Sequence, residues 1–173
     1  MRILKPFLTL AVMVGIVYAV YAFVVFPFFP KYVQVIHLID GDTLLVKDGK
    51  KIEQVQLIGV DAPEHTGPYG WHQCFDDQSK HLVATDFFLQ NQDIRLVKDD
   101  ALNDKDSGGR LLRYIFQKNG DFLNEKILQD GLAMQFTDPQ KKYQYQDRFA
   151  DAQKQAQQQH LGIWDPQGCN GKF

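Results

Sequence analysis

Cysteine is scarce in this chain of 173 residues, with Cys74 and Cys169 the only two. Two thiols so far apart cannot build a zinc site, and none of the other histidines stands at ligand spacing from His37, which reads as a strand-surface residue. A basic excess is missing as well. The formal charge is −2, and once Arg2 and Lys5 are set aside 17 basic residues face 21 acidic ones, a balance of −4. Proteins that grip duplex through their whole surface are basic, because phosphate contacts supply most non-specific affinity. That mode is excluded, and any nucleic-acid contact must be local and salt-sensitive.

Charge of either sign is absent from Phe7 to Phe29, a run of 23 residues. About 20 apolar residues suffice to cross the hydrocarbon core. Residues 1–30 are therefore expected to form an N-terminal transmembrane signal-anchor. Arg2 and Lys5 ahead of it favour a cytoplasmic N-terminus with the remainder outside. The alternative is a cleaved signal peptide ending at Val20-Tyr21-Ala22, with secretion of the rest; the apolar Phe-Val-Val-Phe beyond Ala22 favours retention. The two cysteines are either unrelated thiols or, in an exported domain, one long-range disulfide, Cys74 to Cys169, tying the C-terminal tail to the first helix of the domain.

Residues 31–173 have the length and apolar content of one domain. Tyr32 to Ile39 alternates loosely as a first strand. Thr43–Lys47 and Ile52–Val60 flank Asp48-Gly49, a pair that suits a tight hairpin turn. Asp76 to Gln90 has helical spacing, and Asp93–Lys98 and Arg110–Gln117 read as a fourth and fifth strand. Asp121 is placed to cap a helix that stops at Gly131, and a last helix spans Tyr145 to His160. This order predicts an α+β fold, a five-stranded barrel of the oligonucleotide-binding (OB) type with three helices. Two acidic corners bound the central strands, Asp40-Gly41-Asp42-Thr43 and Asp61-Ala62-Pro63-Glu64. Sheet twist is expected to bring Asp40, Asp42, Asp61 and Glu64 to one end of the barrel. Carboxylates gathered there need a hard cation between them, and an oxygen-only set suits Ca²⁺ or Mg²⁺ better than Zn²⁺.

Three motifs, D-G-D-T, V-x-L-I-G-V-D-A-P-E and D-x-x-G-R-x-L-x-Y (Asp106 to Tyr114), occur in this order, followed by G-L-A at Gly131 and L-G-I-W at Leu161. Together they resemble the staphylococcal nuclease (thermonuclease) family over Tyr32 to Trp164. The resemblance implies a Ca²⁺-dependent endonuclease that hydrolyses phosphodiester bonds of DNA or RNA at the 5′ oxygen, preferably in single strands, with no obligate protein partner. It implies metal ligation by Asp42, Asp61 and the Ala62 backbone carbonyl, where the usual Thr side chain is replaced, with Asp40 holding a water or a ligand in place behind them. Glu64 takes the role of general base and Arg110 that of phosphate clamp. At Gln56 the family carries a second catalytic Arg. A Gln amide brings no charge and no rigid fork to that position, so the alternative reading is a catalytically impaired OB module that binds nucleic acid or nucleotide. In the loop ahead of Arg110, Ser107 and Gly108 replace a Lys-Tyr pair, which leaves Tyr143 or Tyr145 as the ring for base stacking. Arg113, three residues past Arg110, is expected to face the other way.

Overall fold

A computed structural model describes residues 4–21, 30–64, 73–85 and 93–172. Its contacts divide the chain into two units, Met1–Lys31 and Tyr32–Phe173.

In the first unit, helix α1 spans Leu4–Val20, 17 residues. Its apolar side chains from Leu10 to Val20 are exposed on all sides, Val17 at 67% and Met13 at 62%. Among the described residues no helix is long and apolar enough to cross a membrane. The expected span of Phe7–Phe29 is thus not realised as one described helix: α1 ends at Val20, and residues 22–29 lie outside the described residues.

The second unit is built on five strands: β1 (Val33–Leu38), β2 (Thr43–Asp48), β3 (Lys51–Leu57), β5 (Asp93–Val97) and β6 (Leu111–Gln117). They close into a barrel in the order β1-β2-β3-β6-β5, with β5 returning to β1. Only β3 and β6 run parallel among these neighbours. Closure removes the unpaired edges that would otherwise invite another chain. The expected five-stranded barrel is the observed one. A bulge between Val35 and His37 turns Ile36 outward and restores Leu38 to the core.

The sequence pattern extends the third strand to Val60, but β3 ends at Leu57. The chain swings at Gly59, whose φ of +73° is left-handed, and a Cβ there would meet the Tyr143 ring and Phe149 at 2.8 Å. Beyond this turn Val60–Asp61 (β4) pairs antiparallel with Met134–Gln135 (β7). This swing carries Asp61 off the barrel wall and onto its mouth.

Helix α2 covers Asp76–Val83. The expected helix continues through a π turn at Ala84 and Thr85, and residues 86–90, with Phe87 and Phe88, lie outside the described residues. Helices α3 (Leu123–Gln129) and α4 (Gln146–Gln158) bury Leu123, Ile127, Leu128 and Phe149 against β6 and the barrel end. Asp121 does not cap α3. Its N–H is held by Asn119 Oδ1, and the N-cap position falls to Phe122 without a side-chain bond. Asn124 is buried in α3 and fully used. Its amide donates to the Ile58 carbonyl at 2.9 Å, and its Oδ1 accepts from the Ile115 N–H at 2.9 Å. It locks the helix to the end of β3 and the middle of β6.

Candidate active site

The corner between β1 and β2 is a tight turn closed by Ile39 N–H to the Thr43 carbonyl at 2.8 Å. Gly41 sits in it against Ala62 and Ser79. A Cβ there would lie 2.7 Å from Ala62 Cβ and 2.8 Å from Ser79 Oγ, so only glycine lets the two acidic corners and α2 approach this closely. The approach has a direct consequence: the Ala62 N–H donates to Asp42 Oδ2 at 2.9 Å.

Of the four acids at the two corners Asp42 is the most buried, 8% exposed. Burial, then the charge of Asp40, pushes its pKa up to about 7. Asp40 Oδ1 accepts the Asp42 N–H at 3.0 Å and does not itself line the cleft. The Thr43 hydroxyl lies 2.8 Å from Asp42 Oδ1 and 2.8 Å from Gln56 Oε1. One hydroxyl carries one proton. When Thr43 donates to the carboxylate, the Gln56 amide is satisfied by turning its NH₂ toward Thr43. Gln56 then supports Asp42 through Thr43.

Asp42, Gln56, Asp61, Glu64 and Arg110 all line one cleft of about 720 Å³. Partial burial, then the charge of Glu64, raises the Asp61 pKa. Arg110 directs its Nε–H to Asp106 Oδ2 at 2.6 Å, while its backbone N–H donates to Asp106 Oδ1 at 2.9 Å. This ion pair orients the guanidinium on the cleft wall. Burial pushes the Asp106 carboxyl up, but the hydrogen bonds and charge of Arg110 outweigh it and hold the group below the ordinary range. Arg113 is absent from the cleft lining and pairs with Asp104 at 2.8 Å, on the far side of the strand as alternation requires.

The donor set can be tested against a hard divalent cation. Among the described residues no group of three or more Asp, Glu, His or Cys is close enough to share one ion. Of the carboxylates that line the cleft, Asp42 and Asp61 have raised pKa values, each raised first by burial and then by a neighbouring acid, with no basic partner to relieve it. Two oxygen donors of this kind fit an ion that completes its shell with water and with oxygens of a bound phosphate.

Three residues of the cleft escaped the sequence reading. Lys105 and Lys141 line it and add positive charge opposite the acids; Lys105 keeps only a loose contact with Glu53 at 3.9 Å. Phe136 lines it with 55% of its surface exposed. The two tyrosines expected to stack are otherwise engaged. Tyr143 reaches the cleft but is buried, its hydroxyl donating to the Phe136 carbonyl at 3.0 Å and accepting from Gln135 at 2.8 Å. Tyr145 is half-buried and packs against the core beside Tyr114, ring centroids 4.8 Å apart. No signal marked Phe136 in advance, because a lone aromatic before a polar loop has no periodicity to betray its exposure.

Cys74 and Cys169 form a disulfide across 95 positions, with Cα atoms 5.7 Å apart. The long-range pairing, rather than two free thiols, is the one found.

The family model described as staphylococcal nuclease homologue matches residues 54–166. A thermonuclease of Staphylococcus hyicus is 40% identical over 133 residues, spanning 76% of this chain and 74% of that protein. A thermonuclease of Staphylococcus intermedius is 38% identical over 133 residues, with the same shares of the two chains. An uncharacterized endonuclease of Escherichia coli O157:H7 is 28% identical over 135 residues, covering 76% of this chain and 75% of that protein.

Proposed function

This chain belongs to the staphylococcal nuclease family, and from that premise we propose that it is a divalent-metal-dependent endonuclease, with Ca²⁺ the ion of choice, acting on DNA or RNA. The observation that carries the reading is the meeting of Asp42, Asp61, Glu64 and Arg110 at one cleft large enough for a nucleotide.

Asp42 and Asp61, with the Ala62 carbonyl, would hold the ion, and Asp40 fixes the Asp42 corner from behind through the Asp42 N–H. The ion, when bound, supplies charge to neutralise phosphate oxygens and lowers the pKa of a water. The remaining work falls to side chains of this chain. Glu64 accepts the proton of the attacking water. Arg110, oriented by Asp106, forks onto the phosphate and offsets charge as it builds toward the departing 5′ oxygen. Lys105 and Lys141 hold neighbouring phosphates, and Phe136 offers a face on which a base of a single strand stacks. Water adds to phosphorus, the bond from phosphorus to the 5′ oxygen breaks, and the products carry a 3′ phosphate and a 5′ hydroxyl.

The test is direct. The full chain in detergent, given single-stranded DNA and Ca²⁺, is expected to cut with those end groups and to stop when EDTA is added. A second reading, an impaired binding module, draws on Gln56, which stands in the cleft without charge. It predicts retention of oligonucleotide without cutting.

For location, we propose an anchor in the membrane with the N-terminus cytoplasmic and the nuclease domain outside; secretion after cleavage is the alternative. The uncharged run behind Arg2 and Lys5, the exposed apolar surface of α1 and a disulfide that suits an oxidising compartment support this. Protease added to intact cells is expected to remove the domain, and full protection would overturn the orientation.

A further inference from the structure

Glu64 is exposed and stands at the end of its corner, just beyond the buried Pro63. Among the described residues its backbone is held by one partner, Gln73. The Glu64 N–H donates to Gln73 Oε1 in a short bond, and the Gln73 N–H donates back to the Glu64 carbonyl at 3.4 Å. Gln73 in turn accepts the Asp76 N–H at 3.3 Å, which fixes it to the start of α2. The next residue, Cys74, is bonded to Cys169. Phe75 follows with φ of +72°, a left-handed conformation that costs a non-glycine residue energy and persists only where its surroundings impose it.

The other end of this tether is firmly seated. Cys169 is 9% exposed and lies in a turn closed by Asn170 N–H to the Asp165 carbonyl at 2.9 Å. Gly171 N–H donates to Ile163 at 2.7 Å, and Ile163 N–H donates to the Gly131 carbonyl at 2.9 Å, at the end of α3. A continuous set of bonds thus runs from the helical body through Cys169, Cys74 and Gln73 to the backbone of Glu64.

We propose that Gln73 is the positioning residue of the catalytic carboxylate, and that the Cys74–Cys169 disulfide anchors it, so that the oxidised chain is the competent one. This rests on the reading of Glu64 as general base. A base acts only within hydrogen-bond reach of the proton it takes, so slack in its backbone lowers turnover without touching the groups that bind phosphate. Reduction by dithiothreitol breaks the sulfur–sulfur bond. The two sulfurs take two electrons and two protons to become thiols, and the reductant closes to its own cyclic disulfide. Cys74 then no longer holds Gln73.

The experiment uses the full chain and two readouts. Amide hydrogen exchange of Glu64 is measured in the oxidised wild type, in the reduced wild type and in Gln73→Met, which keeps the side-chain length and removes the acceptor. The Glu64 amide is expected to exchange slowest in the oxidised wild type and about tenfold faster in the other two, the scale of one hydrogen bond. Equal exchange in all three overturns the proposal. Steady-state cutting of single-stranded DNA is measured alongside Glu64→Gln. For Gln73→Met and for the reduced wild type, kcat is expected to fall about tenfold with KM unchanged. Reoxidation should restore the wild type, and reducing Gln73→Met should add no further loss, since both changes remove one linkage. Wild-type kcat in Gln73→Met, or an equal further fall when that variant is reduced, refutes the positioning role. If Glu64→Gln itself cuts like the wild type, the base assignment fails and Gln73 has no catalytic carboxylate to place. Thermal unfolding of Gln73→Met at the wild-type midpoint is the expected control, and a large drop assigns Gln73 to stability instead.

Discussion

Gln56 concentrates the chemistry of single residues. Its amide can pass a hydrogen bond through Thr43 to Asp42, yet it puts no charge on a phosphate. A preorganised donor at such a place is worth on the order of 10²–10³ in rate. Gln56→Arg is expected to raise kcat for single-stranded DNA by at least about tenfold, the gain tempered by the lost contact with Thr43. An unchanged rate means that Lys105 and Lys141 already cover the charge. Asp42, Asp61 and Glu64 were legible because they fall at two acidic corners of the chain, and Arg110 because it stands in a motif that resembles the family's; all four line the cleft, and Asp40 does not. Lys105, Lys141 and Phe136 were not legible, since each is brought to the cleft by loops whose course follows from long-range packing. Tyr143 misled for the reverse reason: its polar neighbours imply exposure, whereas its hydroxyl is bound at both ends by Gln135 and Phe136.

The elements that carry the cleft differ in how openly the sequence announces them. The hairpin of β2 and β3 is written in alternation and in Gly49, although the turn falls on Gly49-Lys50, one residue later than the expected Asp48-Gly49, because Asp48 still pairs with Lys51. The pair of β4 and β7 is two residues on each side, too short for any period, and exists because Gly59 turns the chain under Tyr143 and Phe149. The loop between β5 and β6 reaches the cleft from a base held by Asp99. That carboxylate accepts from Ala101 N–H and Gln144 N–H, each at 2.8 Å, and from the Tyr114 hydroxyl. Burial pushes its pKa up, but these hydrogen bonds outweigh burial and hold it below the ordinary value. Tyr114 is raised in turn, first by burial and then by its bond to Asp99. Because the folded-state pKa of Asp99 is depressed, its contribution to stability is complete above the unfolded value of about 3.9 and fades as pH falls through the folded one. The difference in unfolding free energy between wild type and Asp99→Asn is expected to be level from pH 7 to about pH 5 and to shrink below about pH 4. A difference that grows on acidification would contradict the assignment of these bonds.

At the scale of the molecule, an acidic barrel with a few cations at one mouth is expected to contact nucleic acid locally and in a salt-sensitive way. Among the described residues Arg110, Lys105 and Lys141 are the cleft-lining cations. For single strands each phosphate contact contributes about 0.7 to the salt slope, so log KM against log salt is expected to rise with a slope of about 2. A slope several times steeper would place phosphates elsewhere on the surface. The five-stranded barrel was legible because five strand-like segments with a helix between the third and fourth and two at the end suit that architecture, whereas the order β1-β2-β3-β6-β5 is known from the pairing itself. The N-terminal segment is the opposite case: its composition states a membrane-compatible helix, while the described part of that helix stops at Val20. One measurement bears on the central claim most directly. Initial rates of single-stranded DNA cutting are taken across a calcium titration for wild type and for Glu64→Gln. The wild-type rate should saturate with calcium and fall by about 10²–10⁴ in the variant, with calcium binding retained in both by calorimetry. Equal rates in the two proteins, or cutting that ignores calcium, would contradict the account.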